Sequence, residues 1–418
     1  MPSPDSPLIR SRPNRRQFLQ HAALLAAGAP ALAALLDACS EAEQPDWPAN
    51  LKIAAPNAPV TWDIAPDNRP TPDGLGPEKN ATLNVYTYAD YISPEAIKSF
   101  EDRYRTRVEI TTFNNTDEAL TKIRDGAVDF DVYTPGYDQI GRLVTGGLLR
   151  PLNHSYVPNI TNVWPVFSNP WYDGQWRYSV PYTVYTTGIG WRTDQVPAEI
   201  GALVNPYDVL WDPAYRNQTA VVDDGHTVMA MVLLKLGITD VNTSSTDDLQ
   251  KVGEALSEMK KNTAPKITMN MNTELPAGLI SVSQMWSGDI IAAKDALPEG
   301  VSADVLRYWF PSDGKGLVDN DLMVVPRRGK NPVAAQLFLN HMLDPQVAKG
   351  NFAAVGSQPP QVSINPDSLV QSGLIPANLK TAIVRPEYFD VGYRILELDP
   401  ANDEAWQRIW RNFKFGRP

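Results

Sequence analysis

From Leu83 onward the chain alternates between short strand-like runs and longer runs of helical periodicity. Leu83-Asn84-Val85-Tyr86-Thr87-Tyr88 predicts a first strand. Ser93-Pro94-Glu95 then opens a helix: Ser caps, Pro takes the first helical position, Glu favours the positive end of the helix dipole, and Ile97 and Phe100 share one face. Val108 to Phe113 alternates cleanly as a second strand. Thr116-Asp117-Glu118 starts the next helix, with Leu120 and Ile123 inward and Gly126 at its end. A third strand, Phe130 to Thr134, meets Pro135-Gly136 and another helix running through Leu143. This βαβαβ order predicts a parallel sheet covered by helices on both faces. Ligands of such sheets bind beyond the carboxyl ends of the strands, here at the loops Tyr88 to Ile92 and Pro135 to Asp138.

A Pro- and Trp-rich stretch from Pro151 to Pro181 leads into Thr186-Thr187-Gly188-Ile189-Gly190-Trp191, read as a crossing into a second lobe. That lobe holds a strand at Ala220 to Val222, a helix from Thr227 to Leu236, and an amphipathic helix with Leu249, Val252, Leu256 and Met259 on one side. The chain returns to the first lobe near Asp319, through Leu322 to Pro326 and a helix over Pro332 to Leu343. Between Cys39 and Asn80 the composition is rich in Pro, Asp and Asn without apolar periodicity, which predicts a stalk with part of it packed on the body.

The N-terminus changes the picture of where the chain works. Ala22 to Leu36 is uncharged but too short to span a bilayer. Asn14-Arg15-Arg16-Gln17-Phe18-Leu19-Gln20 resembles a twin-arginine export signal, and Leu36-Asp37-Ala38-Cys39 resembles the box at which bacterial lipoprotein signals are cut and acylated. The other reading is a plain signal peptide with a chance cysteine. Cys39 is the sole cysteine of 418 residues, so no intrachain disulfide can form and stability must come from a packed core. Without residues 1–38 the chain still exceeds what one hydrophobic core usually serves, so two lobes are expected. The whole chain carries 37 Lys and Arg against 48 Asp and Glu. The leader removes four arginines but only two aspartates, leaving a body too acidic for a nucleic-acid binder and compatible with a cationic ligand.

Several segments, in order and spacing, resemble the spermidine/putrescine-binding proteins of polyamine ABC importers. They are Val85-Tyr86-Thr87-Tyr88-Ala89-Asp90-Tyr91-Ile92, Asp129-Phe130-Asp131-Val132, Tyr178-Ser179-Val180-Pro181-Tyr182 before Gly188-Ile189-Gly190, and Leu210-Trp211-Asp212-Pro213-Ala214-Tyr215. Val222-Asp223-Asp224, Met285-Trp286-Ser287-Gly288-Asp289 and Asp344-Pro345-Gln346-Val347-Ala348 complete the set. The resemblance implies a periplasmic-binding-protein-like α/β fold, with two α/β lobes joined by crossover hinge segments. Residues 82–186 plus 320–365 would form lobe 1, and 187–319 plus 366–418 lobe 2, behind a 1–38 signal and a 39–81 stalk. It further implies a monomeric, lipid-anchored receptor in the cell envelope that passes a polyamine to an ABC permease.

The ligand-binding residues implied by the same resemblance are Tyr88, Asp90, Tyr91, Asp224, Trp286, Asp289, Asp319 and Asp321. Carboxylates would hold ammonium groups, and aromatic walls would line the methylene chain and attract the cation. Four positions depart from the family pattern: Tyr88 stands where Trp is usual, Asp319 where an aromatic is, Thr227 where an acid is, and Ser357 where a tyrosine is common. Residue by residue, plainer readings stay open. Tyr88 and Tyr91 could close the top of a sheet, Trp286 could be core, Asp289 could cap a helix, and Asp319-Asn320-Asp321 has the composition of a solvated turn.

Catalysis finds little support, because His154, His226 and His341 are widely separated and no nucleophile elbow, zinc motif or phosphate loop is present. His226 beside Asp223 and Asp224 could be a metal or acid-base cluster, but a turn with a helix-capping aspartate is favoured. No cofactor or metal is expected. Ferric binders of this architecture use adjacent tyrosines, absent here, so iron is disfavoured. A receptor of the same fold for another small solute, or an exported enzyme or sensor, remains the alternative.

Overall fold

Among the described residues nine strands build one sheet: β1 (Thr82–Tyr88), β2 (Arg107–Phe113), β3 (Val132–Tyr133), β4 (Ser179–Arg192), β5 (Thr219–Val222), β6 (Lys266–Thr268), β7 (Val282–Trp286), β8 (Leu306–Trp309) and β9 (Leu317–Val324). The computed structural model describes residues 51–416 apart from 114, 115 and 127, so the twin-arginine motif, the apolar leader and Cys39 lie outside the described residues. Strand order is β2-β1-β3-β9-β4-β7-β5-β6, with β8 against β4. β1 pairs in parallel with β2 and β3, and β5 in parallel with β6 and β7. Between these two parallel blocks, β9 runs antiparallel to β3 and β4, and β4 antiparallel to β7.

Parallel neighbours need crossovers, and helices supply them. In Pro94–Tyr104, Ser93 Oγ accepts from Ala96 N at 3.1 Å and Pro94 takes the first position. Arg105 ends the helix in the left-handed conformation at φ 55°. Thr116–Asp125 connects β2 towards β3. Across the sheet, Gly225–Lys235 and Thr246–Asn262 cover β5 and β6, and the C-terminal helix Pro400–Phe415, capped by Asp399, lays Trp406, Trp410 and Phe413 against them.

Two hydrophobic cores result. The first gathers Tyr86, Phe100, Phe130, Tyr133, Leu143, Trp176, Val324 and Phe338. The second gathers Trp191, Leu210, Val221, Met229, Leu256, Met285, Tyr308 and Trp406. β4 and β9 belong to both: Val184 packs in the first core and Ile189 in the second, as do Val318 and Leu317 respectively. These two strands therefore run continuously from one core to the other, and the chain crosses again between Ile383 and Val384.

Three stretches differ from their sequence pattern. Of the segment expected to be a stalk partly packed on the body, the part within residues 51–81 packs on the body from Ala54 on. Trp62 is buried in the first core and donates Nε1 to Tyr172 O at 2.8 Å, and Glu78 accepts from Val333 N and Ala334 N at 3.0 Å each, capping the helix Pro332–Met342. The third strand is two residues long: Asp131 N still donates to Asn84 O at 2.8 Å, while the Asp131 carboxylate accepts from Asn84 N and Asn331 N. β9 begins at Leu317, and all eight of its residues are buried, including Asp319, Asn320 and Asp321. Buried polar groups of this kind require partners.

Candidate functional site

A cavity of about 400 Å³ opens beyond the ends of β1, β3, β5 and β7, with the middle of β4 and β9 as one wall. Tyr88, Asp90, Tyr91, Asp224, Trp286, Asp289, Asp319 and Asp321 all line it. They sit on β1, β7, β9, the helix Ser287–Ala293 and the loops after β1 and β5, and they differ sharply in what surrounds them.

Asp321, on β9, accepts from Tyr91 Oη at 2.5 Å and from Tyr185 Oη at 3.3 Å. Thr183 Oγ1 on β4 lies 2.5 Å from Tyr91 Oη, holding that ring in place. Burial pushes the Asp321 carboxyl up to about 7. The Tyr91 hydrogen bond pulls it back, and the nearby Asp138 charge pushes it further up. Asp138, in the loop after β3, is itself pushed up to about 6, first by burial, with His226 drawing it down and Asp224 raising it. Among the described residues no hydrogen bond reaches its carboxylate. Asp321 and Asp138 thus form one acidic pole.

Asp289 forms a second. It stands in the first turn of the helix Ser287–Ala293, with Oδ2 buried and without a partner among the described residues. Burial pushes it up to about 7, opposed only by the Trp286 backbone amide. Asp289 stands on the helix after β7 and Asp321 on β9, and Asp138, which raises Asp321, has no part in raising Asp289. Between them lie aromatic walls. Trp286 meets Tyr185 edge-on at 6.1 Å, Tyr88 meets Tyr91 edge-on at 5.5 Å, and Tyr88 also packs on Phe113 at 4.4 Å. Tyr88 is both sheet-end packing and cavity wall. The close approach allowed by Gly288 is to Gly356, where a Cβ would stand 2.6 Å from Gly288 O and where φ is +78°.

The other three acids are spoken for or exposed. Asp224 Oδ1 accepts from Thr227 N at 2.9 Å and caps the helix Gly225–Lys235. Asp319 accepts from Tyr137 Oη at 2.6 Å and faces Arg394 Nε at 3.6 Å. Asp90 is exposed at a loop tip, in the left-handed conformation at φ 52°. His226 makes no metal cluster with Asp223 and Asp224: its Nε2 lies 2.9 Å from Asp403 Oδ1, and Asp223 pairs with Lys414 at 2.6 Å.

The cations on the cavity wall are all met. Arg142 Nε is 2.5 Å from Glu397 Oε1 with Asp403 at 3.7 Å, Arg411 pairs with Glu404 at 2.8 Å, and Lys414 and His226 are paired as above. Asp289 and Asp321 are left without a paired cation among the described residues, with Asp138 beside the latter drawn down by the already paired His226 and Arg142.

Sequence reasoning did not single out Asp138, Tyr185, Thr183 or the Arg142–Glu397–Asp403–His226 network. Asp138 was within reach, because it lies in the loop expected to border a ligand. Tyr185 is the one β4 residue not fully buried, a signal only the structure carries. The network joins residues as far apart in sequence as Arg142 and Asp403, for which no local pattern exists.

Comparison with known proteins places this geometry. The putrescine-binding periplasmic protein PotF of Escherichia coli is 26% identical over 355 residues, covering 80% of this chain and 92% of its own. The spermidine/putrescine-binding periplasmic protein of the same species is 26% identical over 294 residues, covering 68% and 79%. A solved structure from Listeria monocytogenes, 26% identical, covers 81% of this chain and 100% of that one with a TM-score of 0.69. The family model described as bacterial extracellular solute-binding protein matches residues 95–376, about two thirds of the sequence. The chain belongs to the bacterial extracellular solute-binding proteins, the substrate-binding components of ABC transporters and not enzymes.

Proposed function

We propose that the protein captures a small diamine or polyamine in this cavity and delivers it to an ABC permease. The observation that carries the reading is the pair of poles, Asp289 and Asp138/Asp321, each pushed up by burial; no cation of the chain offsets the rise at Asp289 or Asp321, and the His226 and Arg142 charges that draw Asp138 down are themselves paired with Asp403 and Glu397. A carboxylate taken from water without a counter-charge is costly, and an ammonium group at each pole removes that cost. The Trp286, Tyr185, Tyr88 and Tyr91 rings suit the methylene chain and attract the flanking charges. The names of the relatives from Escherichia coli agree with this ligand class. The test is calorimetry on purified body stripped of ligand, against putrescine, spermidine, amino acids, choline and metal ions. Heat and a thermal shift with amines alone support the reading, and silence with every diamine and triamine sinks it.

In this reading residues 82–186 plus 320–365 and residues 187–319 plus 366–418 act as two lobes that close over the ligand by bending β4 and β9. Small-angle scattering should show a smaller radius of gyration with saturating ligand, and an unchanged profile would argue for a rigid site. Export by the twin-arginine route and acylation of Cys39 would hold the receptor, as a monomer, at the outer face of the cytoplasmic membrane. Cys39→Ser should then move the protein from the membrane to the soluble fraction without blocking export. Persistence in the membrane fraction would rule the anchor out.

A further inference from the structure

Next to the cavity a cation site is already filled from within the chain. The guanidinium of Arg394 lies 4.4 Å from the Tyr137 ring centre, 4.9 Å from Phe389 and 5.7 Å from Trp171. Its Nη2 donates to Asn320 Oδ1 at 2.7 Å, and Nε stands 3.6 Å from Asp319 Oδ1. A carboxylate, an amide oxygen and three aromatic faces are what a protein uses to recognise an organic cation. Tyr137 and Asp319 also line the ligand cavity, so the Arg394 box and the cavity share a wall.

The arm and the box belong to different cores. Arg394 is pinned on the side of the second, where Asn242 Nδ2 donates to Arg394 O at 2.8 Å and Leu396 N donates to Asn242 Oδ1 at 2.7 Å. The three rings pack on the first. The side chain is only 9% exposed, so it fills the box rather than resting at its mouth.

We infer that Arg394 is a specificity-determining residue: it occupies the cation subsite at Asp319 and confines the incoming ligand to the poles at Asp321 and Asp289, so that the site selects a short diamine over longer polyamines. This rests on the amine reading above. Asp138 does not restore a third place, because it shares the pole of Asp321, and one ammonium with three donors can serve both carboxylates.

Dissociation constants for putrescine and spermidine, measured on ligand-free wild type, Arg394→Ala and Arg394→Lys, test the inference. Wild type should favour putrescine at least tenfold. Arg394→Ala should lose at least tenfold of that preference, whereas Arg394→Lys, which keeps a cation in the box, should retain most of it. Independently of either amine, millimolar ethylguanidinium should raise the melting temperature of Arg394→Ala and leave that of wild type unchanged. Arg394→Gln, close in length and neutral, serves in the same assays if the alanine variant does not fold. A folded Arg394→Ala or Arg394→Gln variant, with no cation in the box, that discriminates as wild type does, or wild type binding both amines equally, overturns this inference alone. Failure of wild type to bind any amine overturns the proposed function and this inference with it.

Discussion

Asp289→Asn and Asp321→Asn are each expected to weaken amine binding by tens-fold or more. Asparagine keeps the shape of the side chain, removes the charge and exchanges one acceptor oxygen for an NH2 donor, so the change tests the ion pair with the ligand without opening a cavity. Truncating one partner of a desolvated charge pair costs about 2–5 kcal/mol, or about 30-fold to several thousand-fold in affinity. Asp289 should show the larger loss, since its Oδ2 has no partner within the described residues and the ligand would supply its only counter-charge. At Asp321 the Tyr91 and Tyr185 hydroxyls already stabilise the ionised form and would remain to bind the asparagine. Trp286→Ala should act more weakly, through lost cation–π attraction of about 0.5–2 kcal/mol. Asp247→Asn, exposed in the first turn of the helix Thr246–Asn262, should change nothing and separates a specific site from general acidity. Calorimetry on folded, ligand-stripped variants decides the matter: wild-type affinity in both asparagine variants would remove these carboxylates from the site.

The parts of this architecture that rest on local chemistry were legible before the structure. Ser93-Pro94-Glu95 caps and starts a helix wherever it meets an apolar stripe, and Leu249, Val252, Leu256 and Met259 bury one face whatever they pack against. The loops at the strand ends were legible for the same reason, because parallel order alone predicts where they gather. What stayed hidden depends on partners distant in sequence. Asp319-Asn320-Asp321 has the composition of a turn, yet it is buried strand, since Tyr137, Arg394, Tyr172 and Tyr91 arrive from elsewhere to satisfy it. Residues 51–81 lack periodicity and still pack, because Trp62 and Glu78 make single, specific contacts rather than a repeated face. Asp319 shows the consequence for the site. By position it belongs among the ligand carboxylates, and by geometry its charge is answered by Arg394, which no pattern around either residue announces.

Affinity should rise steeply with pH between about 5.5 and 8, and binding should release protons. Asp289 and Asp321 are both pushed up to about 7 in the ligand-free protein, so at pH 5.5 each is mostly protonated and must lose its proton before it can pair with an ammonium. One pKa unit is about 1.4 kcal/mol, so the penalty at pH 5.5 is about 30-fold for each carboxylate and approaches a thousand-fold for the two together. It vanishes towards pH 8, where the carboxylates are ionised and aliphatic ammonium groups, with pKa values near ~10, keep their charge. Stability without ligand should run the opposite way. The unfolded chain loses these protons near pH ~4 and the folded chain keeps them to about 7, so the folded state binds more protons in that window and loses stability as pH rises through it. The thermal shift produced by a diamine should accordingly be small at pH 5.5 and large at pH 8. Calorimetry at pH 6.5 in buffers of different ionisation heat measures the protons released, and Asp289→Asn should reduce their number. Affinity that stays flat from pH 5.5 to 8, with no proton release, would mean that the ligand is held by groups other than these two buried carboxylates.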